Sequence, residues 1–299
     1  MTKLLITGSS GFVGKNLMNY FFIYRKEYLI QRYNRFDNKQ NFTSNDVVIH
    51  LAGKAHDLKQ TTSPNEYYEV NTDLTKKIFD DFLESKTTVF IMLSSVKAVA
   101  DKLNLELIEE FIPEPITHYG KSKLLAEQYI LSKEIAIGKR VYILRPCMIH
   151  GPGNKGNLNL LYKIVSKGLP WPLGTYNNKR SFCSIENLCF VIKELIERDD
   201  ITSGVYNISD NEPVSTNDLI KLIANTQNKK PLIFNIPKSI ILLIAKFGNI
   251  LNLPLNTERL QKLTETYTVS NKKLLSALGK ELPISSKEGL IQTIQSFNH

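Results

Sequence analysis

Short apolar runs alternate with longer amphipathic stretches through the first half of the chain. Residues 3–7, 28–33, 46–51, 88–94 and 140–144 read as strands, with helices predicted near 14–22, 67–84 and 119–133. The run Val47-Val48-Ile49-His50-Leu51 is apolar with little alternation, as in a strand buried on both faces. Strands alternating with helices imply a parallel sheet covered on both sides. The second half reads differently. Gly151-Pro152-Gly153-Asn154-Lys155-Gly156-Asn157 is turn-rich and breaks the pattern. A further helix is expected near 184–186, then a strand at Gly204–Ile208, then short helices separated by prolines over 211–299. Ile240-Ile241-Leu242-Leu243-Ile244-Ala245, between Lys238 and Lys246, is the most apolar run. It is short and has no broad basic face, so it reads as a buried or subunit-packing helix rather than one lying on a membrane.

The first strand leads into Gly8-Ser9-Ser10-Gly11-Phe12-Val13-Gly14, which opens the first helix. Gly8 suits a tight turn, Gly11 the approach of a pyrophosphate, and Gly14 close helix–strand packing. The head of the helix, at Ser10, Gly11, Phe12 and Val13, offers unpaired N–H groups and a partial positive charge. This context, an apolar strand before and an amphipathic helix after, points to dinucleotide binding.

Composition narrows the partners. The 299 residues include 38 Lys+Arg against 29 Asp+Glu, a formal balance of +9. That length suits one large domain or two modest ones. The basic balance admits nucleic acid, an anionic membrane or an anionic small ligand. No basic-aromatic motif supports nucleic acid. Cys147, Cys183 and Cys189 are too few for a disulfide scaffold and lack zinc-site spacing, so no metal is expected. No apolar run approaches the roughly 20 residues of a membrane span. The apolar run after Met1-Thr2-Lys3 is too short for a signal peptide, so the cytoplasm is the expected compartment.

The Gly-x-x-Gly-x-x-Gly spacing, preceded by Thr7, resembles the extended short-chain dehydrogenase/reductase family. The resemblance implies an α/β fold: a Rossmann-type doubly wound parallel sheet with a smaller mixed α/β substrate-binding region toward the C-terminus. The dinucleotide-binding domain is expected at 1–150 and 184–209, and the substrate domain at 151–183 and 210–299. The family uses Tyr-x-x-x-Lys with an upstream Ser or Thr. Both Tyr119/Lys123 and Tyr129/Lys133 match. Pro113, Pro115 and the loop through Thr117-His118 put Tyr119 at a helix start, with Tyr129 further along the same helix. Ser94-Ser95 ends an apolar strand, and a strand-end serine can share a cleft with that tyrosine. Ser95, Tyr119 and Lys123 are therefore the catalytic candidates. Lys123 follows Tyr119 by one turn, where its ammonium is expected to lower a phenol pKa that is ordinarily about 10. The resemblance also places Tyr119 and Lys123 against the nicotinamide ribose.

The likeness extends to the nucleotide-sugar branch, which implies a nucleotide-sugar substrate. Leu51, Ala52 and Gly53 resemble its adenine-side loop, and Asn71 the asparagine of its following helix. Arg145-Pro146 with Ile149-His150-Gly151-Pro152-Gly153 resembles its Arg-Pro…Tyr-Gly-Pro-Gly segment, His150 replacing the tyrosine. Arg180, in Arg180-Ser181-Phe182-Cys183-Ser184, matches the arginine that grips a sugar-nucleotide diphosphate, and Arg259 is a second phosphate candidate. Lys97 and Asn157 are further substrate candidates, and Arg145 is counted among the cations serving polyanions. His50 reads as a packed strand-end residue. In the branch's dehydratases an Asp-Glu pair follows the catalytic Ser/Thr. Val96-Lys97 stands there instead, which excludes water elimination. Ser95-Val96-Lys97 together with Gly156-Asn157 and Leu173-Gly174 resembles UDP-sugar 4-epimerase-like proteins, and especially the 4-keto-sugar reductases of N-acetylquinovosamine-type nucleotides. Met148 stands where many epimerases carry asparagine.

An acid ending the second strand normally takes the adenosine ribose hydroxyl. The spacing the resemblance implies puts Arg32 there, with Arg35 and Asp37 beyond. An arginine accommodates a 2′-phosphate, which favours NADP over NAD. A 4-ketoreductase consumes reduced cofactor at each turnover, so Arg32 favours the reductase over the 4-epimerase. A non-catalytic dinucleotide-binding regulator would explain the glycine turn but not Ser95, Tyr119 and Lys123. The resemblance further implies a homodimer, with no nucleic-acid partner.

Overall fold

A computed structural model describes residues 1–23, 28–33, 44–54, 63–154, 157–250 and 256–298. Its described strands are β1 (Thr2–Thr7), β2 (Tyr28–Arg32), β3 (Val47–His50), β4 (Val89–Leu93), β5 (Arg140–Pro146), β6 (Met148–His150), β7 (Phe182–Ser184) and β8 (Gly204–Ile208). Six of them form one sheet in the order β2-β1-β3-β4-β5-β8, every neighbouring pair parallel. They differ from the sequence reading only at their ends. β6 and β7 form a separate parallel pair that the periodicity did not reveal, because three residues are too few to show alternation.

The central strands are largely apolar because each feeds two cores. Leu4, Ile6, Val47, Ile49, Val89, Ile91, Tyr142 and Leu144 point to one face. Leu5, Val48, Phe90, Met92, Val141 and Ile143 point to the other. Burying each large side chain is worth roughly 1.5–3 kcal/mol, so both faces must be covered. The described helices do this: α1 (Phe12–Ile23), α2 (Pro64–Tyr68), α3 (Leu74–Glu84), α4 (His118–Leu131), α5 (Asn157–Ser166), α6 (Ile185–Glu197), α7 (Thr216–Thr226), α8 (Lys238–Ile250), α9 (Thr257–Thr264), α10 (Lys272–Leu278) and α11 (Ser286–Gln295). The first face takes Leu17 and Phe21 of α1 with Leu188, Ile192 and Leu195 of α6. The second takes Ile78, Phe79 and Phe82 of α3 with Ala126 and Ile130 of α4.

A third core joins α5, α7, α8, α9 and α11 around Trp171, Leu173 and Phe182. Residues 267–282 leave this body: Tyr267, Val269, Leu274, Leu278 and Leu282 return to the first face of the sheet. The helix expected over 67–84 begins earlier, at Pro64, and is interrupted by a π-helical turn, Glu69–Asp73. The Ile240–Ala245 run is neither wholly buried nor wholly exposed. Ile241 and Ala245 enter the third core, while Ile240, Leu242, Leu243 and Ile244 remain exposed.

One ion pair fixes α4 to the sheet. Arg145 of β5 and Glu127 of α4 are both buried, with Nε 3.0 Å and Nη2 2.6 Å from Oε2. Ser94, just past β4, donates its hydroxyl to the same carboxylate. Arg145 is thereby corrected: it is a structural cation inside the fold, not one that meets a polyanion. Removing one partner leaves the other charged and unpaired in an apolar interior. Glu127→Ala is therefore expected to lose about 3–5 kcal/mol of stability in chemical denaturation. A loss below about 1 kcal/mol, the value of an exposed pair, would count against this reading.

Candidate active site

The chain leaves β1 toward β2 on one side, then crosses to β3 on the other. Such a reversal opens a crevice beyond the carboxyl ends of β1 and β3, where ligands bind in open α/β sheets. Two loops line it, Gly8–Gly11 after β1 and Leu51–Lys54 after β3. They touch so closely that a Cβ on Gly8 would lie 2.6 Å from the Ala52 nitrogen. Gly8 also has φ +68°, a conformation that favours glycine. A Cβ on Gly14 would lie 2.4 Å from the Gly8 oxygen, so Gly14 packs on the turn itself. The Gly11 amide closes the turn on the Gly8 carbonyl at 3.0 Å. Ser10 and Gly11 are exposed at the head of α1, and Phe12 and Val13 are partly buried behind them. α1 thus starts two residues before the expected Gly14. An exposed helix head with no room for extra side chains fits a dinucleotide pyrophosphate. Arg32 ends β2, exposed and in register beside Ile6. Arg35 and Asp37 lie outside the described residues.

Behind the crevice runs a chain of buried hydrogen bonds. Thr75 donates to the Asn71 carbonyl at 2.7 Å, so its oxygen is an acceptor for His50 Nε2–H at 2.9 Å. His50 Nδ1 is then the acceptor for the Thr7 hydroxyl at 2.8 Å, and Thr7 in turn accepts the Ala52 amide at 3.0 Å. Burial, reinforced by the Lys123 charge, pushes the His50 pKa down to about 3, so the ring is neutral. His50 is a packed strand-end residue, and it also links two strand ends to the helix beyond. The π-helical turn carries Asn71 into this network. Its Oδ1 accepts the Lys54 amide at 2.7 Å, and its Nδ2 donates to Ser122 Oγ at 3.0 Å. Asn71 therefore clamps the Gly53 loop to α4. No sequence signal marked Thr75 or Ser122 for this role, since threonine and serine are common in helices.

The catalytic candidates converge at the start of α4. Thr117 caps this helix, accepting the Gly120 amide at 3.1 Å, and Asp101 accepts the Ile116 and Thr117 amides at 2.7 and 3.0 Å. Gly120 is the residue that sequence reasoning missed. A Cβ there would stand 2.3 Å from the Lys97 carbonyl, so only glycine lets the first turn of α4 seat against the Ser95–Lys97 turn. With that contact made, the buried Tyr119 phenol comes beside Ser95, close enough for Ser95 to act on its acidity. Ser95 is buried and its oxygen accepts the Lys97 amide at 3.2 Å. Lys123 Nζ donates to the Leu93 carbonyl at 2.9 Å and lies beside Gly53, where a Cβ would come within 2.9 Å of it. Tyr129 bonds Asp80 instead, away from this cluster.

The electrostatics run opposite to the sequence expectation. Burial pushes the Tyr119 phenol above its ordinary value, and the neighbouring Ser95 hydroxyl offsets only part of this. Burial also pulls Lys123 down to about 8, against the attraction of Glu127. The protein groups therefore weaken the ammonium that was expected to acidify Tyr119.

Lys97, Arg180, Glu265 and Asp101 form one charged group around Tyr267. Lys97 Nζ donates to the Asp101 carbonyl at 2.8 Å and lies 4.1 Å from the Tyr267 ring centre. Arg180 pairs with Glu265 at 3.0 Å and also donates to the Lys262 carbonyl. Arg259 is exposed on α9, one turn before Lys262. The Asn157 backbone opens α5, but its side chain and Gly156 lie outside the described residues. Among the described residues no group of three or more His, Cys, Asp or Glu side chains could hold a metal ion.

The family model for the NAD dependent epimerase/dehydratase family matches residues 4–209. A UDP-glucose 4-epimerase of Vibrio cholerae is 29% identical over 99% of this chain and 95% of its own length. A GDP-6-deoxy-D-mannose reductase of Pseudomonas aeruginosa is 26% identical over 75% of this chain and 79% of its own. The solved structure of RMD from Pseudomonas aeruginosa complexed with NADPH superposes with a TM-score of 0.76 at 22% identity, covering 100% of both chains.

The Lys123 shift has a thermodynamic consequence. The unfolded lysine holds its proton to about pH 10.5 and the folded one only to about 8. Between these values the unfolded chain binds more protons, so this group's contribution to stability rises with pH. Chemical denaturation of wild type and Lys123→Met from pH 7.5 to 10 is expected to show wild type gaining on the variant, by roughly 1.4 kcal/mol per pH unit inside that window. A constant difference across the window would refute the depressed pKa.

Proposed function

The chain belongs to the NAD-dependent epimerase/dehydratase family, enzymes of the extended short-chain dehydrogenase/reductase type, and from that premise we propose that it reduces a 4-keto UDP-linked hexose at C4. The observation that carries this reading is the convergence of buried Ser95 and the Tyr119 phenol at the head of α4, with Lys123 one turn behind and bonded to the Leu93 carbonyl. Ser10 to Gly14, Leu51 to Gly53, Arg32 and Lys123 would hold the nicotinamide dinucleotide. That group, when bound, supplies the hydride.

The protein's own part is proton movement and positioning. Ser95 holds the sugar's C4 oxygen, and Tyr119 delivers its phenolic proton to that oxygen as charge develops. A phenol whose pKa is raised keeps its proton at neutral pH, which suits the acid required in the reductive direction. Lys123 anchors the ribose side and stands ready to stabilise the phenolate left behind. Arg180 and Lys97, in the charged group around Tyr267, would take the diphosphate on this reading. Arg180 would exchange its Glu265 and Lys262 partners for phosphate oxygens, a planar fork suited to bidentate contact. Val96 and Lys97 leave no acid–base pair beside Ser95 for eliminating water.

Arg32, exposed at the end of β2, favours NADPH as reductant. A second reading, a UDP-hexose 4-epimerase with retained NAD, is favoured by the near full-length similarity to the Vibrio cholerae epimerase. Both readings use the same tyrosine. Tyr119→Phe is expected to lower turnover by about 10²-fold or more while leaving dinucleotide binding intact, as read by fluorescence titration. Turnover close to wild type would sink the assignment. The two readings separate on the purified protein. The reductase should release little dinucleotide on denaturation and consume added NADPH with a 4-keto UDP-sugar. Retained NAD on mass spectrometry, with UDP-glucose and UDP-galactose interconverted without added cofactor, would replace the reductase by the epimerase.

A further inference from the structure

α8 carries two apolar stripes, and the fold covers one of them. Ile241, Ala245 and Gly248 face inward, the first two within the third core. Ile240, Leu243, Ile244 and Phe247 follow the i, i+3, i+4, i+7 spacing of a single helical face. They remain 48%, 56%, 43% and 55% exposed. Four large apolar side chains in one solvated row form a patch of the kind that marks an interaction surface. The remaining arc holds Lys238, Ser239, Lys246 and Asn249 with a fifth exposed apolar side chain, Leu242, among them.

The stretch of chain that leads into and forms α8 is basic. Residues 219–250 contain Lys221, Lys229, Lys230, Lys238 and Lys246 and no Asp, Glu or Arg. Lys221 is paired with Asp218, Lys229 donates to the Ser166 carbonyl, and Lys238 lies over the Tyr176 ring. α9, packed against α8, adds Glu258, itself paired with Lys262, and Arg259. A second copy seated on the stripe through a two-fold axis would gather Lys238 and Lys246 of both copies into one interface. An anionic surface would instead attract them.

We propose that α8 is an interfacial helix that seats Ile240, Leu243, Ile244 and Phe247 in an anionic lipid bilayer. Lys238 and Lys246 reach the headgroups from the polar arc, and Lys230 adds to the attraction. Thirteen residues give a helix of about 20 Å, long enough to lie in the plane of the interface. Among the described residues no helix is long and apolar enough to cross the bilayer, so the contact is one-sided. Apolar insertion and lysine–headgroup attraction act together, and neither alone gives firm attachment.

Sedimentation with lipid vesicles tests this on the whole protein. Vesicles of phosphatidylcholine mixed with phosphatidylglycerol are expected to bind it at least ~10-fold more tightly than phosphatidylcholine alone, with binding weakened by salt. Leu243→Glu with Phe247→Glu should lower vesicle binding by ~10-fold or more, with turnover in solution unchanged. Lys230→Gln with Lys246→Gln spares the apolar face and should remove the preference for anionic lipid, at roughly fivefold per lysine. This second pair keeps the test decisive if the first pair does not fold. Wild-type protein that ignores both vesicle types would overturn the proposal, as would variants that bind like wild type. So would a dimer, detected by light scattering, that Leu243→Glu and Phe247→Glu dissolve, because a second copy would then be the occupant.

Discussion

The chain of buried hydrogen bonds from Thr7 through His50, Thr75 and Asn71 to Ser122 is the constraint on which the site depends. Each member is a polar group that would be costly to bury alone. Together they satisfy one another and link the end of β1, the end of β3, the π-helical turn and α4. The neutral His50 ring suits this place because it donates at one nitrogen and accepts at the other. The link sets the spacing between the glycine turn and the tyrosine helix, the two parts that any dinucleotide chemistry must bring together. The π-helical turn follows from the same demand. Asn71 lies within that wider turn, and from there its side chain meets the Lys54 backbone.

A second layer of positioning comes from burial of charge. Glu127 holds Arg145 with two nitrogens, receives Ser94, and draws on Lys123 through space. α4 thus presents Tyr119 and Lys123 on a helix pinned at its middle by an ion pair and at its first turn by Gly120. Desolvation dominates both functional groups. It keeps the phenol protonated and makes the ammonium easier to deprotonate. The two shifts bring the pKa values of Tyr119 and Lys123 out of their usual order, so that lysine, not tyrosine, loses its proton first as pH rises.

The sheet was legible because strands buried on both faces need uninterrupted apolar runs, and such runs are visible in a single chain. The gathering of Gly8, Gly14, Ser95, Tyr119 and Lys123 near the carboxyl ends of the strands was legible because it depends on residue type at local spacing. Gly120, Thr75 and Ser122 were not, because their importance lies in a close approach or a hydrogen bond across tens of residues. Arg145 was misread for a similar reason. An arginine within Tyr142-Ile143-Leu144-Arg145-Pro146 stands in an apolar run, and that context signals a buried pair more than a ligand contact. Its partner, Glu127, lies on another element, so the pairing was invisible until the fold brought them together.

The residues after Ser95 bear directly on what the site can do. Val96 is buried, and the Lys97 ammonium is drawn over Tyr267 toward the Asp101 carbonyl. A carboxylate at either position would meet that aromatic ring and carbonyl, or an apolar interior, with no donor provided for it. The turn is therefore built for a cation. Desolvation lowers the Lys97 pKa, while Asp101 and Glu265 act to retain its charge. A cation here, close to Arg180, raises the positive potential beside Ser95 and supplies no carboxylate there. On the proposed reading, proton transfer then rests on the phenol of Tyr119, and one such group serves redox chemistry at a single carbon–oxygen bond, whereas elimination requires an additional acid and base.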